Sequence, residues 1–200
     1  MKQHSINPLD YRTPGHPINP IFLSRWSARA MSGEPIDHEL LLRCFEAARW
    51  APSASNCQER LFLYAHRDTP AFAQFFSLLA EGNQAWCHRA AVLIVALSDT
   101  LDAAGRPIRS HAFDTGLAVE NLLLQACELG LVAHPMAGFS SERAISELNI
   151  PQRYLPQCMI AIGVPGDVNE LSEFNQSREL PSQRKPMEEV TRASGFEPQN

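Results

Sequence analysis

Two short polar segments near the start of the chain carry side chains that could bind a phosphorylated ring compound. Residues 25–29, Arg-Trp-Ser-Ala-Arg, place two guanidinium groups and a hydroxyl within five positions, and we call them the arginine segment. Guanidinium groups suit a phosphate ester because they donate paired hydrogen bonds to its oxygens. Residues 51–58, Ala-Pro-Ser-Ala-Ser-Asn-Cys-Gln, form a second segment, the polar turn. Its small hydroxyls and amides suit the edge of a polar heterocycle, so the two segments predict one binding site.

The composition restricts the class of protein and of ligand. The 200 residues, 44% of them hydrophobic, suffice for one domain with a buried core. The formal net charge of −5 argues against nucleic acid as a partner, so a phosphate site would need a local cluster of arginines. No stretch is apolar enough to cross a bilayer and no leader is visible, so we expect a cytoplasmic protein with no membrane partner.

The cysteines predict neither a metal site nor a disulfide framework. They are odd in number, widely spaced and without a CxxC pair: Cys44, Cys57, Cys87, Cys127 and Cys158. We therefore expect reduced thiols.

The spacing of apolar residues predicts helices and strands that do not alternate regularly. The predicted helices are 37–50, 70–79, 113–129 and 140–148, and the predicted strands are 61–66, 91–97, 131–135 and 159–164. Asp37 and Thr69 are the expected N-caps of the first two helices, Ser140 or Ser141 caps the last, and residues 81–83 are expected to break the second. This order favours an α+β fold over a doubly wound sheet, and no Gly-x-Gly-x-x-Gly motif indicates a Rossmann dinucleotide site.

Three parts of the chain need a surface to pack against. The helix 113–129 is apolar almost all round, so it must be covered either within the monomer or by a second subunit. Residues 1–22 carry four prolines and predict an extended arm. The polar tail from residue 171 has too few apolar side chains to fold alone.

Four segments, taken in order, resemble the nitroreductase family. They are the arginine segment, the polar turn, the sequence His-Pro-Met-Ala-Gly-Phe at 134–139, which we call the glycine loop, and the basic pair 184–185 in the tail. The resemblance implies an α+β fold with a central, mostly antiparallel mixed sheet flanked by helices, in an intertwined homodimer. It also implies an N-terminal arm at 1–22, an FMN-binding domain at 23–170 and a tail at 171–200 that wraps the partner subunit.

The resemblance implies a role for each matching residue. In the family the arginine segment holds the FMN phosphate and the pyrimidine edge of the flavin, and the polar turn lines the flavin edge and ribityl chain. The glycine loop lies against the ring, its backbone N–H groups reaching N5, and the tail adds a basic residue at the phosphate. The implied cofactor-binding residues are Arg25, Trp26, Ser27, Arg29, Pro52, Ser53, Ser55, Asn56, Gln58, Pro135, Met136, Ala137, Gly138, Arg184 and Lys185, and the implied substrate-binding residues are Asn83 and Trp86.

The implied reaction passes a hydride from NADH or NADPH through FMN to a small acceptor such as a nitroaromatic, a quinone or an enone. Because the flavin carries this chemistry, no acid–base residue is required, and His66, His88, His111 and His134 are predicted to be structural or surface residues. Two alternatives share the resemblance: a flavin-cleaving or dehalogenating enzyme, and a non-catalytic FMN-binding module.

The chain departs from the family pattern at two places. Gln58 is followed by Glu59 and Arg60 where the family usually has Pro-Trp, and Ala137 stands where several relatives have Glu. Taken singly, each segment also fits an ordinary turn or a solvated basic patch. Trp86 equally fits an aromatic residue that anchors a helix end in the core.

Overall fold

A four-stranded sheet lies at the centre of the structure, a computed structural model that describes residues 6–196. Its strands are β1 (Arg60–His66), β2 (Val92–Asp99), β3 (Val132–Met136) and β4 (Tyr154–Gly163). They are ordered β1-β2-β4-β3, and all three pairings are antiparallel. Helices flank this sheet, which confirms the α+β prediction.

Helices and short helical turns connect the strands. The described helices are α1 (Ile21–Ser24), α2 (His38–Arg49), α3 (Pro70–Ser77), α4 (Glu81–Cys87), α5 (His111–Glu128), α6 (Ser141–Glu147), α7 (Glu173–Gln176) and α8 (Met187–Val190). Single 3-10 turns occur at Pro8–Asp10, Ala54–Asn56 and Val168–Glu170. Within residues 6–196, the helices are all too short or too polar for a membrane span.

Strand β2 is buried on both faces and divides the core into two layers. Side chains alternate across a strand, so Ile94 and Ala96 pack towards α2 and α5, whereas Leu93 and Val95 pack towards α3, α4 and α6. The apolar run in the sequence is explained by this double burial, since every position of β2 up to Ser98 is enclosed.

The predicted caps are present at the helix ends. The side chains of Asp37 and Thr69 accept from backbone N–H groups in the first turns of α2 and α3. Ser140, rather than Ser141, caps α6, and Gly130 with φ of +72° ends α5.

The predicted break at residues 81–83 is wrong, because these residues begin α4. Helix α3 ends at Ser77, and the chain turns at residues 78–80. The side chain of Gln84 stabilises this turn between α3 and α4. Its Nε2 donates to Phe76 O (3.3 Å) at the end of α3 and to Leu79 O (2.8 Å) just after it.

Helix α5 is covered on one side only. Leu122 and Ala126 are buried against α2 and the sheet, whereas Phe113 is 70% exposed and Leu124 is half-buried. The expectation that this helix is covered on every side is therefore not met within one chain.

The arm and the tail contain short helices and lie partly on their own chain. The arm has its 3-10 turn and reaches α1, and the tail has α7 and α8 rather than a fully extended path. Glu179, 1% exposed, accepts hydrogen bonds from the N–H groups of Arg29 and Ala30 at 2.8 Å. Residues 1–5 and 197–200 of the predicted arm and tail lie outside the described residues, and the domain limits stay a prediction.

Candidate functional site

The arginine segment follows α1 and has its two arginines in different surroundings. Arg25 Nε lies 3.6 Å from Glu120 Oε1 on α5, and its Nη1 lies 3.5 Å from Ser27 Oγ. Glu120 is half-exposed, so this ion pair is weak and leaves the Arg25 guanidinium able to bind a ligand.

Arg29, by contrast, is neutralised within the chain. Its Nη1 donates to Arg178 O at 2.8 Å and lies 3.8 Å from the fully buried carboxylate of Glu179. Burial lowers the pKa of the Arg29 guanidinium, and the charge of Glu179 opposes that effect. The structure therefore gives Arg29 a partner other than the predicted phosphate.

A hydrogen bond of His134 joins the glycine loop to the arginine segment. His134 Nδ1 lies 3.1 Å from Ala28 O, and because a carbonyl only accepts, the ring donates through Nδ1. Burial lowers the pKa of His134 to about 4, so the ring is neutral near neutral pH. Its tilted contact with Trp86, with ring centroids 4.6 Å apart, agrees with the predicted structural role.

The glycine loop presents backbone and small side chains at the surface. Met136 is buried and Pro135 half-buried, whereas the methyl group of Ala137 is exposed. Gly138 O accepts from Asn83 Nδ2 at 2.9 Å, and a Cβ on Gly138 would lie only 2.7 Å from that nitrogen. Within residues 6–196, the N–H groups of Ala137 and Gly138 donate to no acceptor, so both are available to a ligand.

The two predicted substrate residues differ in exposure. Asn83 is half-buried and holds the glycine loop in place through its amide. Trp86 is 2% exposed and lies in the core, so its ring has no surface on which an acceptor could stack. The structure thus corrects the substrate role predicted for Trp86 and gives it the alternative role, an aromatic anchor at the end of α4.

The polar turn has an unusual backbone that is fixed at its start by α5. Ser55, Asn56 and Gln58 have φ angles of 51°, 54° and 53°, the left-handed region that non-glycine residues rarely adopt. Ala54 N donates to Asp114 Oδ2 at 3.0 Å. The side chains of Ser55, Asn56 and Gln58 are exposed, and Pro52 is exposed beside the half-buried Ser53.

The Glu-Arg pair that replaces Pro-Trp has two separate roles. Arg60 Nη2 donates to Arg49 O and Ala51 O, at 2.5 and 2.9 Å, and so caps the C-terminal end of α2. Glu59 is 4% exposed, and its carboxyl group has no hydrogen-bond partner on another described residue. Burial, followed by the nearby charge of Asp114, raises the pKa of Glu59.

Arg12 links the arm, the arginine segment and the tail. Its Nη1 donates to Leu23 O (2.7 Å) and Arg25 O (2.8 Å), and its Nε donates to Ser182 O (3.2 Å). Burial, and then the charges of Arg184 and Arg25, lower the pKa of the Arg12 guanidinium. Sequence reasoning missed Arg12 because no motif or spacing in the arm marks it.

The predicted site residues fall into two groups. The arginine segment, the glycine loop and Asn83 are connected by hydrogen bonds, and Arg12 connects Arg184 to them. Lys185, the residue after Arg184, forms an ion pair with Glu189, with Nζ and Oε2 3.3 Å apart. Among the described residues, no hydrogen bond or ion pair joins the polar turn to this first group, so the turn forms a second group beside the N-terminus of α5.

Comparisons with known proteins identify the family of this chain. A family model described as the nitroreductase family matches residues 23–69 and 62–164. An uncharacterized 15.4 kDa protein of Mycolicibacterium smegmatis is 34% identical over 120 residues, which are 60% of this chain and 80% of that protein. A Streptomyces coelicolor protein provisionally named NADH dehydrogenase/NAD(P)H nitroreductase is 29% identical over 147 residues, 64% of this chain and 73% of that protein.

Two solved structures are similar over nearly their whole length. One is described as an oxidoreductase containing FMN and has a TM-score of 0.90 and 39% identity, covering 94% of this chain and 97% of that chain. The other, provisionally named a nitroreductase, comes from Desulfovibrio desulfuricans in complex with FMN. It has a TM-score of 0.71 and 25% identity, covering 90% of this chain and 100% of that chain.

Proposed function

The chain belongs to the nitroreductase family of oxidoreductases, and we propose that it uses bound FMN to transfer a hydride from NADH or NADPH to a small acceptor. The observation that carries this proposal is the hydrogen bond between His134 and Ala28. It holds together two segments, 106 positions apart in sequence, that supply the cation and the small-residue loop a flavin nucleotide needs. A cytoplasmic location stays a prediction.

The residues present fit FMN. The free N–H groups of Ala137 and Gly138 lie on a loop without bulky exposed side chains, so a flat ring could approach the backbone closely. Arg25 supplies a cation with only a half-exposed carboxylate beside it. When bound, FMN would accept the hydride at its ring and release the electrons to the acceptor, such as a nitroaromatic, a quinone or an enone.

The chain's own residues orient the cofactor and stabilise its negative charge, and they do not transfer protons. Arg25 would stabilise negative charge on the cofactor, and the loop N–H groups would donate to the ring edge. Neutral His134 holds the glycine loop against the arginine segment through its hydrogen bond to Ala28 O, and Asn83 holds Gly138 through its amide. None of these roles requires a side chain that changes its protonation state during turnover.

We also propose that the site is completed in a homodimer. Asp114, which holds the polar turn, and Glu120, which contacts Arg25, are both on α5. Six residues of helix separate them by about 9 Å along the axis and about 120° around it. The arginine segment and the polar turn of one chain therefore lie on different sides of α5. The polar turn of a second copy could face the arginine segment of the first. The exposed Phe113 on α5 supports burial against such a copy.

The absorbance of the purified protein tests the proposal. We expect a flavin spectrum that bleaches on anaerobic addition of NADH or NADPH and returns when a nitroaromatic, quinone or enone is added. Molecular mass in solution, measured by light scattering, should be that of two chains. A protein that neither contains nor takes up FMN would refute the proposed function.

The same assay separates the alternatives. A flavin-cleaving or dehalogenating enzyme would consume flavin or release halide instead of reducing a nitroaromatic. A non-catalytic FMN-binding module would show the flavin spectrum without turnover on any acceptor. The buried Glu59 and the exposed Ala137 are the departures from the family pattern that keep these alternatives worth testing.

A further inference from the structure

Three guanidinium groups, which we call the arginine cluster, are carried by the arm, the arginine segment and the tail, which Arg12 links by hydrogen bonds to Arg25 O and Ser182 O. They belong to Arg12, Arg25 and Arg184, and the charges of the latter two both act on Arg12. Like charges that act on one another repel, so this arrangement is unfavourable unless an anion binds. The protein as a whole is acidic, with a net charge of −5, so the cluster is not part of a generally basic surface.

The carboxylates around the arginine cluster do not balance its charge. Among residues 6–196, Arg12 and Arg184 have no ion pair, and Arg25 has only Glu120 at 3.6 Å. Three positive charges against one negative charge leave two unmatched. A phosphate monoester carries about −1.5 to −2 near neutral pH, which matches that excess.

Free donors remain on Arg12 and Arg184. Arg12 uses Nε and Nη1 for three backbone carbonyls, and its Nη2 has no acceptor within the described chain. Arg184 donates only through Nη1, to oxygens of Ser182 and Gln183 next to it in sequence. Arg12 and Arg184 both line one cavity of about 410 Å³ between the arm and the tail, which is large enough for a phosphate group.

We infer that Arg12 is a further phosphate-binding residue, which acts with Arg25 and Arg184 on the phosphate monoester of FMN. This assignment rests on the proposed function. It gives Arg12 the phosphate-binding role that the sequence resemblance implied for Arg29, whose charge is matched by the buried Glu179. The carbonyl contacts of Arg12 fix its guanidinium in place, so little side-chain entropy is lost when the phosphate binds.

A comparison of FMN with riboflavin tests the assignment, because the two flavins differ only in the phosphate. The dissociation constants of both are measured by flavin fluorescence for the wild type, Arg12→Ala and Arg12→Lys. Arg192→Ala is the matched control, since it removes an equal charge from the same tail at an arginine that stacks on Phe196. We expect Arg12→Ala to weaken FMN by about 10- to 100-fold, the scale of one charge-assisted hydrogen bond.

The expected pattern is specific to phosphate. Riboflavin affinity should change by less than about twofold in Arg12→Ala, and Arg12→Lys should recover part of the FMN affinity because it keeps the charge. An equal loss for FMN and riboflavin would show a purely structural role and overturn the assignment. If Arg12→Ala keeps the wild-type ratio of FMN affinity to riboflavin affinity, the assignment of Arg12 is refuted and the proposed function is not. A wild type that binds neither flavin would refute the proposed function as well.

Discussion

Replacement of Glu59 by glutamine should stabilise the protein at alkaline pH and leave its stability almost unchanged at acid pH. The Glu59 carboxyl group is 4% exposed and has no hydrogen-bond partner on another residue of the described chain. Burial raises its pKa most, a hydrogen bond to its own backbone lowers it, and among the nearby charges of Asp114, Arg60 and His111 that of Asp114 has the largest effect. The ionised form of Glu59 is therefore disfavoured in the folded protein.

The sign of the pH dependence follows from the raised pKa of Glu59. An acid whose pKa is higher in the folded than in the unfolded state binds its proton more tightly when folded. Its contribution to stability is complete below the unfolded pKa, about 4.3 for glutamate, and is lost as the pH rises through the folded pKa. Glutamine stays neutral, so Glu59→Gln keeps that stability at high pH.

The magnitude follows from the extra cost of burying a charge without a partner, since glutamine at the same position is buried as well but stays neutral. That cost is about 1–3 kcal/mol, and each unit of pKa shift corresponds to about 1.4 kcal/mol. We therefore expect Glu59→Gln to raise the free energy of unfolding by about 1–3 kcal/mol near pH 8, or the Tm by roughly 3–9 °C for a domain of this size. Near pH 4, where the wild-type carboxyl is protonated, the gain should be below about 0.5 kcal/mol.

Calorimetric unfolding between about pH 4 and pH 9, with and without excess FMN, measures the effect. Glu188→Gln is the control, because it removes the same charge from an exposed residue of the tail. An equal change in stability at both ends of the pH range, or a loss near pH 8, would refute the conclusion that Glu59 is a buried acid without a partner.

Three further substitutions test other contacts of the site. Arg60→Ala removes both donors to the carbonyls at the end of α2 and should destabilise the protein by about 1–3 kcal/mol in urea unfolding. Glu179→Gln removes a buried carboxylate that binds two backbone N–H groups of the chain, so limited proteolysis should cut the tail faster than in the wild type. Gly138→Ala places a Cβ 2.7 Å from Asn83 Nδ2 and should lower kcat/KM by up to about tenfold, whereas Gly82→Ala, with open space around it, should not.

Local features of the chain could be predicted from the sequence because their causes are local. The apolar run 91–97 predicts β2 because a continuous apolar stretch bounded by polar residues fits a strand that is buried on both faces. Asp37 and Thr69 can be identified as N-caps because each precedes a stretch with apolar residues at helical spacing. A short side chain with an oxygen atom at that place accepts hydrogen bonds from the free N–H groups of the first turn. These inferences need only neighbours within a few residues.

Contacts between distant residues could not be predicted in the same way. The sequence does not show that Glu179 binds the N–H groups of Arg29 and Ala30, about 150 residues away, or that Arg12 binds the carbonyl of Arg25. A resemblance identifies which residue matches a motif, but it does not show which other residue of the chain forms an ion pair with it. Arg29 is the clearest case, since the resemblance implies a cofactor contact for it while its guanidinium is paired with Glu179.

The same contacts connect the order of the tail to the cofactor. Glu179 fixes the tail at the arginine segment, Arg12 holds Ser182 O, and Arg184 follows two residues later. An anion that binds Arg12 and Arg184 together would favour the docked tail, and by thermodynamic linkage a docked tail must favour the anion by the same free energy. A weakened anchor at Glu179 should therefore lower FMN affinity without touching a residue of the arginine cluster.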